Sequence, residues 1–206
     1  LAALERQDLS RVKIMWVNYP HMPTGTRPTK ELFSRLINFG VRHNILIIND
    51  NPYGLILNSN PMSILSSPGA KPIALEMNSL SKSHNMAGWR IGMVAGSESH
   101  INAILKVKSN MDSGMFLPLQ LAGIKALGLG REWYDSLNNT YHERRLLVIK
   151  LLQKLGSTFE QEQSGMFVWS SVPAGWKDDK QFSDHLLHEF KLFITPGSVF
   201  GTNGKG

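Results

Sequence analysis

The sequence contains no cysteine. Disulfides and thiolate metal sites are excluded, and the composition fits a reducing compartment, so a cytoplasmic protein is expected. No stretch approaches the roughly 18 uncharged apolar residues of a membrane span, and no membrane partner is expected. The first residues, Leu1-Ala2-Ala3-Leu4-Glu5-Arg6, have neither an initiator methionine nor the basic-then-apolar order of a signal peptide, and read as the middle of a longer chain. Charged residues make up 18% and their net balance of +6 is scattered, with Arg144-Arg145 and Lys177 to Lys180 the only basic clusters. Without a basic stripe interleaved with aromatics, the charge reads as solvated surface and no nucleic acid is expected. Groups of His, Asp and Glu at metal-ligand spacing are also missing, as are internal repeats and low-complexity tracts.

What is present is a 206-residue chain, 42% hydrophobic, long enough to bury a sizeable core. Apolar runs of strand length, Val12 to Val17 and Ile45 to Ile48, are each stopped by turn-rich stretches, Asn18 to Gly25 (NYPHMPTG) and Asn49 to Gly54 (NDNPYG). Between them Thr29 opens a helix carrying Leu32, Phe33, Leu36, Ile37 and Phe39. This alternation predicts an α/β fold with a mostly parallel sheet flanked by helices. Asn58 to Lys71 reads as a long surface loop, Pro72 to Met77 as the next strand, and Trp89 to Gly96 as another, with Ser97 placed to cap a helix from Glu98 to about Asn110. A short helix at Pro118 to Leu127 ends at Gly128 and Gly130.

From Arg131 to Leu155 the pattern is a long amphipathic helix, with Trp133, Leu137, Tyr141, Leu147, Ile149 and Leu152 on its apolar side. A smaller α+β part follows, with a strand at Met166 to Val172, a helix at about Lys180 to Phe190 and an extended piece at Leu192 to Thr195. The domain boundary is placed within the long helix, giving 1–135 and 136–206.

Between the last two strands of the sheet lies Ser79 to Gly92, SLSKSHNMAGWRIG, a lysine in a serine- and glycine-rich stretch with an arginine eight residues later. A parallel sheet gathers its carboxyl ends at one edge, so Asp50, Tyr53, Lys82 and Arg90 are predicted to converge there. Singly, each has an ordinary explanation: a turn aspartate, a half-buried aromatic, a solvated amine, half of an ion pair. Together they suit a phosphorylated aldehyde, whose carbonyl an amine captures as an imine while hydroxyls and a guanidinium hold the phosphate. An aspartate suits a pyridinium nitrogen, and a nearby phenol suits a ring hydroxyl. His84 reads as a surface or supporting residue and Trp89 as core.

These stretches resemble the class I/II, fold type I, pyridoxal-phosphate-dependent aminotransferases. NYPHMPTG is similar to the family's loop ending in Asn-Pro-Thr-Gly, DNPYG to its Asp-x-Ala/Pro-Tyr element, and SLSKSHNMAGWRIG to its Ser-x-Ser-Lys…Gly-x-Arg-x-Gly signature. TPGSVFGTNGKG resembles the approach to the family's carboxylate-binding arginine. The resemblance implies pyridoxal 5'-phosphate as cofactor, an amino acid and a 2-oxo acid as substrates, and a homodimer for the intact protein. It implies Lys82 as the Schiff-base lysine and as the base moving a proton between substrate Cα and cofactor C4′. Asp50 is implied at the pyridinium nitrogen, Tyr53 at the 3′-oxygen, and Ser79, Ser81 and Arg90 at the phosphate.

Two departures bear on this. Met22 stands where the family has an asparagine to the 3′-oxygen, and a thioether bonds only weakly, so no cofactor role passes to it; His21 and Asn18 are the nearby substitutes. The family's chains also begin well before this one and continue past Gly206 to the carboxylate arginine, so a fragment with little turnover of its own is expected. Other activities of the same cofactor, C–S lyase, decarboxylase or synthase, remain alternatives. So does the effector domain of a transcription regulator.

Overall fold

The computed structural model describes residues 1–206. Four strands, β1 (Ile14–Asn18), β2 (Leu46–Asp50), β3 (Ala74–Ser79) and β4 (Gly92–Gly96), form one sheet in that order. β1, β2 and β3 run parallel, with Asn18 beside Asp50 and Asp50 beside Met77. β4 turns back antiparallel to β3, with Ser79 beside Gly92. The sheet is thus mostly parallel, as its alternation with helices predicts. The twelve residues of the connection, Leu80 to Ile91, fold as two short helical turns and supply no crossover helix to carry the chain back for a parallel strand.

Helix α1 (Lys30–His43) starts where Thr29 Oγ1 accepts the Leu32 N–H at 3.1 Å and ends at Asn44, whose left-handed φ of 52° lets its N–H reach the Gly40 and Val41 carbonyls. Its buried face, Phe33, Leu36, Ile37 and Phe39, closes over Ile45, Ile47 and Ala74. Phe33 and Phe39 are each 0% exposed, burial worth roughly 2–3 kcal/mol per side chain. Ile64 and Ala70 belong to the same core. The stretch expected to be a surface loop is therefore pinned, and the Ile64 N–H adds a 2.9 Å bond to Glu76 Oε2.

After β3 comes α2 (Leu80–Ser83), then a 3-10 turn at Ala87–Trp89. Leu80, Met86 and Ala126 form a second small core, which seats α2 on α4 (Leu117–Leu127). Trp89, expected in the core, is 45% exposed, because its turn lies outside that cluster. Ser97 precedes α3 (Glu98–Met111), but its hydroxyl bonds Ser99 Oγ and His100 Nδ1 and caps no backbone N–H. α3 buries no residue, and Leu121, Ile124 and Leu127 of α4 are exposed.

Helix α5 (Arg131–Leu155) has the predicted length, but buries only Leu137 and Leu152. Leu147, expected on the apolar side, is 66% exposed. Beyond it the strand predicted at 166–172 is replaced by an isolated bridge between Phe159 and Ser170. The Gln163 side chain takes the ladder's place, accepting the Trp169 N–H at 2.6 Å and donating to the Trp169 carbonyl at 2.7 Å. α6 (Asp179–Phe190) follows, capped by Asp178 Oδ1 on the Gln181 N–H at 2.9 Å. No helix is long and apolar enough to cross a membrane.

Candidate active site

One edge of the sheet collects the carboxyl ends of β1, β2 and β3 and, because β4 is reversed, its amino end. Asp50 ends β2, Ser79 ends β3, Lys82 lies on α2 just beyond, and Arg90 stands two residues before β4. Tyr53 follows Asp50 in a turn and is 9% exposed. Lys82 Nζ lies 5.9 Å from the centre of the Tyr53 ring, and Phe167 meets the same ring edge-on at 5.8 Å between centres. The aspartate, tyrosine and lysine predicted from separate stretches thus share one neighbourhood.

Burial pushes the Asp50 carboxyl up, although the residue keeps contact with solvent. Burial also pushes the Tyr53 phenol up, and the Asp50 charge and then Tyr141 add to the rise. Asp50 takes part in none of the five ion pairs, so its charge is not matched by a cation of the chain. An open cavity of about 420 Å³ in front of it is lined by Trp16, Val17, Asn18, Tyr19, His21 and Asp50. Asn18 is committed on both sides of its amide, accepting the Met22 N–H at 2.7 Å and donating to the Asp50 carbonyl at 2.6 Å. His21 Nδ1 is engaged with Thr24 Oγ1 at 2.8 Å, so these two proposed substitutes for the family asparagine act here as braces of the loop.

The serines form a small cluster. Ser79 Oγ accepts the Ser81 N–H at 3.1 Å, lies 2.8 Å from Ser81 Oγ, and reaches the Ile91 carbonyl at 3.2 Å. Arg90, exposed and at a left-handed φ of 54°, directs its guanidinium to the Ala87 carbonyl at 3.0 Å instead of to the serines.

Several contributors lie within these stretches without a role at the cofactor. His84 is 6% exposed, with Nδ1 2.9 Å from Ser83 Oγ and Nε2 3.2 Å from the Tyr134 hydroxyl. Burial lowers its basicity, against an opposing bond to the Ala126 backbone. Asn49, fully buried behind Asp50, bonds both backbone groups of Tyr19, while Asn49 and Asn51 each approach Glu76 at 3.4 Å. Gly25 is the one sequence signal for the opposite wall: at φ +69° its carbonyl accepts the Ser164 N–H at 2.8 Å, and an added Cβ would meet Gln163 Cβ at 2.7 Å.

The family model for class I and II aminotransferases matches residues 1–206. The chain belongs to that family. Similar relatives include the LL-diaminopimelate aminotransferases of Natranaerobius thermophilus and Aquifex aeolicus, 40% and 39% identical over all of this chain and 54% of theirs. Among solved structures, substrate-bound BacF from Bacillus subtilis superposes with a TM-score of 0.90 at 36% identity, over 98% of this chain and 52% of BacF. A probable N-succinyldiaminopimelate aminotransferase from Thermus thermophilus gives 0.86 at 32% identity, over 94% and 52%. The fold is that of the fold type I aminotransferases, and the chain spans about half the length of these relatives.

Membership in the aminotransferase family implies pyridoxal 5'-phosphate as cofactor. The donor set fits that group: a carboxyl raised by burial and unmatched by any cation of the chain, a phenol beside it, an amine over the phenol ring, and paired serine hydroxyls at the next strand end.

Proposed function

We propose that the intact protein containing this chain transfers an amino group between an amino acid and a 2-oxo acid, using pyridoxal 5'-phosphate. The observation that carries the reading is Lys82 Nζ held over the Tyr53 ring, with the partly shielded Asp50 carboxyl at the neighbouring strand end. When bound, the cofactor supplies an electron-withdrawing pyridinium ring. Asp50 would hold a proton on the ring nitrogen by its charge, and Tyr53 would bond the ring oxygen. Ser79, Ser81 and Arg90 would bind the phosphate, for which the Arg90 guanidinium would exchange its bond to the Ala87 carbonyl. Lys82 Nζ, a compact amine on a flexible stem, would take the proton from the substrate Cα and deliver it to C4′ of the cofactor.

Diaminopimelate is the first amino acid to test, because several relatives of the chain are named for it. The intact protein is further read as a homodimer in the cytoplasm, with this chain divided within α5 into 1–135 of a large domain and 136–206 of a small one. The test is borohydride reduction of the intact protein with pyridoxal 5'-phosphate, followed by peptide mapping and an amino-transfer assay. Label on Lys82, lost in Lys82→Ala together with transfer, is the expected result. Label confined to another lysine overturns the assignment.

A further inference from the structure

One face of α5 carries Tyr134, Asn138, Tyr141 and Arg145, at steps of four, three and four residues that a helix stacks into a single stripe. These residues are partly shielded, whereas most of the helix faces solvent. Tyr134, Asn138 and Arg145 each meet a different segment of the site. The Tyr134 hydroxyl reaches His84 Nε2 at 3.2 Å, and its neighbour Trp133 stacks on His84 and donates Nε1–H to the Ser83 carbonyl at 2.9 Å. Both contacts grip the end of the helix that bears Lys82. One turn on, Asn138 Oδ1 accepts the Leu57 N–H at 2.6 Å and Nδ2 donates to the Leu55 carbonyl at 3.1 Å, which grips the turn that bears Tyr53. Two turns further, Arg145 donates to the Gln163 carbonyl and, at 2.7 Å, to that of Gly165, whose own N–H bonds Ile56 at 2.8 Å.

Lys82 and Tyr53 face each other without any hydrogen bond between α2 and residues 53–57; what bonds both is α5. The contacts are directional and largely to backbone, so they set distance and angle where apolar burial would set neither. Resting on the aminotransferase reading, we propose that this stripe, centred on Asn138, is a positioning device that holds the Lys82 helix and the Tyr53 turn at their working separation.

The test uses Asn138→Leu, which keeps the branched shape and removes both hydrogen-bonding groups, in the intact protein. Without pyridoxal 5'-phosphate, acetylation of Lys82 relative to exposed Lys71, read by peptide mass spectrometry, rises about threefold or more as the Tyr53 turn loosens. With the cofactor and substrates, kcat falls roughly tenfold or more while KM stays within about twofold. Asn138→Asp, which keeps the acceptor for Leu57, restores part of both. Tyr134→Phe keeps the ring and deletes the hydroxyl; it shifts the labelling ratio the same way by a smaller factor, and it decides the matter if Asn138→Leu does not fold. A lower melting temperature with unchanged labelling and kcat in the folded variants reduces the stripe to a stabilising contact and overturns the proposal. If the wild-type protein transfers no amino group, the aminotransferase reading falls, and the labelling ratio still decides the positioning role.

Discussion

The Tyr53 ring is held between Lys82, whose Nζ lies 5.9 Å from its centre, and Phe167, which approaches edge-on at 5.8 Å. The lysine is 29 positions away in the sequence and the phenylalanine 114, so the ring joins three segments that only the fold brings together.

Tyr53→Phe keeps this packing and removes the phenol. Amino transfer by the intact protein is expected to fall about tenfold with the unfolding midpoint nearly unchanged. Tyr53→Ala empties a site only 9% exposed and is expected to cost about 3–4 kcal/mol in denaturant unfolding. Equal activity for wild type and Tyr53→Phe would remove the phenol from the chemistry.

Asp50 makes a prediction about pH. Burial raises its carboxyl above the ordinary 3.8, so the folded state holds that proton more tightly than the unfolded one. Stability is lost as pH rises through the window between 3.8 and the raised value, and stays lost above it. Without cofactor, Asp50→Asn is therefore expected to melt higher than wild type at neutral pH, with the gap closing below the ordinary carboxylate range. In the loaded intact protein the same change is expected to lower amino transfer by roughly 10²-fold or more. Melting curves across pH and a turnover assay check the two halves separately.

His84 has the opposite sign. Burial holds its pKa below 6.5, so as pH falls through that value the unfolded chain takes up a proton that the folded one refuses. Stability is present above 6.5 and is lost toward the lowered value. Replacing the ring with a non-titrating one, His84→Phe, is expected to flatten the loss of stability between neutral and mildly acid pH. Parallel unfolding curves for variant and wild type over that range would contradict the buried, neutral assignment.

Gly25→Ala is expected to be among the most damaging single-methyl changes in the chain. The position needs φ +69° and leaves 2.8 Å between an added Cβ and the Ser164 carbonyl, so both backbone strain and overlap penalise it. About 2–4 kcal/mol of stability should be lost, read from urea unfolding.

Much of the sheet was legible because local chemistry settles it. Apolar runs ended by Asn, Pro and Gly mark strand ends, and Thr29 marks a helix start, without reference to the rest of the chain. The lysine stretch was legible for the same reason, since Ser79, Ser81, Lys82 and Arg90 lie within twelve residues. The direction of β4 is not legible, because the twelve residues of the 80–91 connection are long enough for either sense. Trp89 and 166–172 were misplaced because hydrophobicity does not say whether a turn lies beside the core, or whether a side chain such as Gln163 will stand in for a strand partner. Asn138 carries no signal, because its partners Leu57 and Leu55 are 81 and 83 positions away, while His84, which reads as a surface or supporting residue, proves buried against Tyr134, 50 positions away.

The link between the Gly25 turn and the 163–165 segment bears on how the chain reaches its native state. Arg27 Nε and Ser164 Oγ, 2.7 Å apart, are separated by 137 positions. Closing so long a loop costs chain entropy before any contact repays it, so α1 and the parallel strands are expected to consolidate first. On the ribosome the Tyr53 wall cannot close until the segment after α5 has been made. A nascent chain stalled before Ser164 emerges is thus expected to have its sheet edge assembled and Lys82 in place, while Tyr53 still faces water.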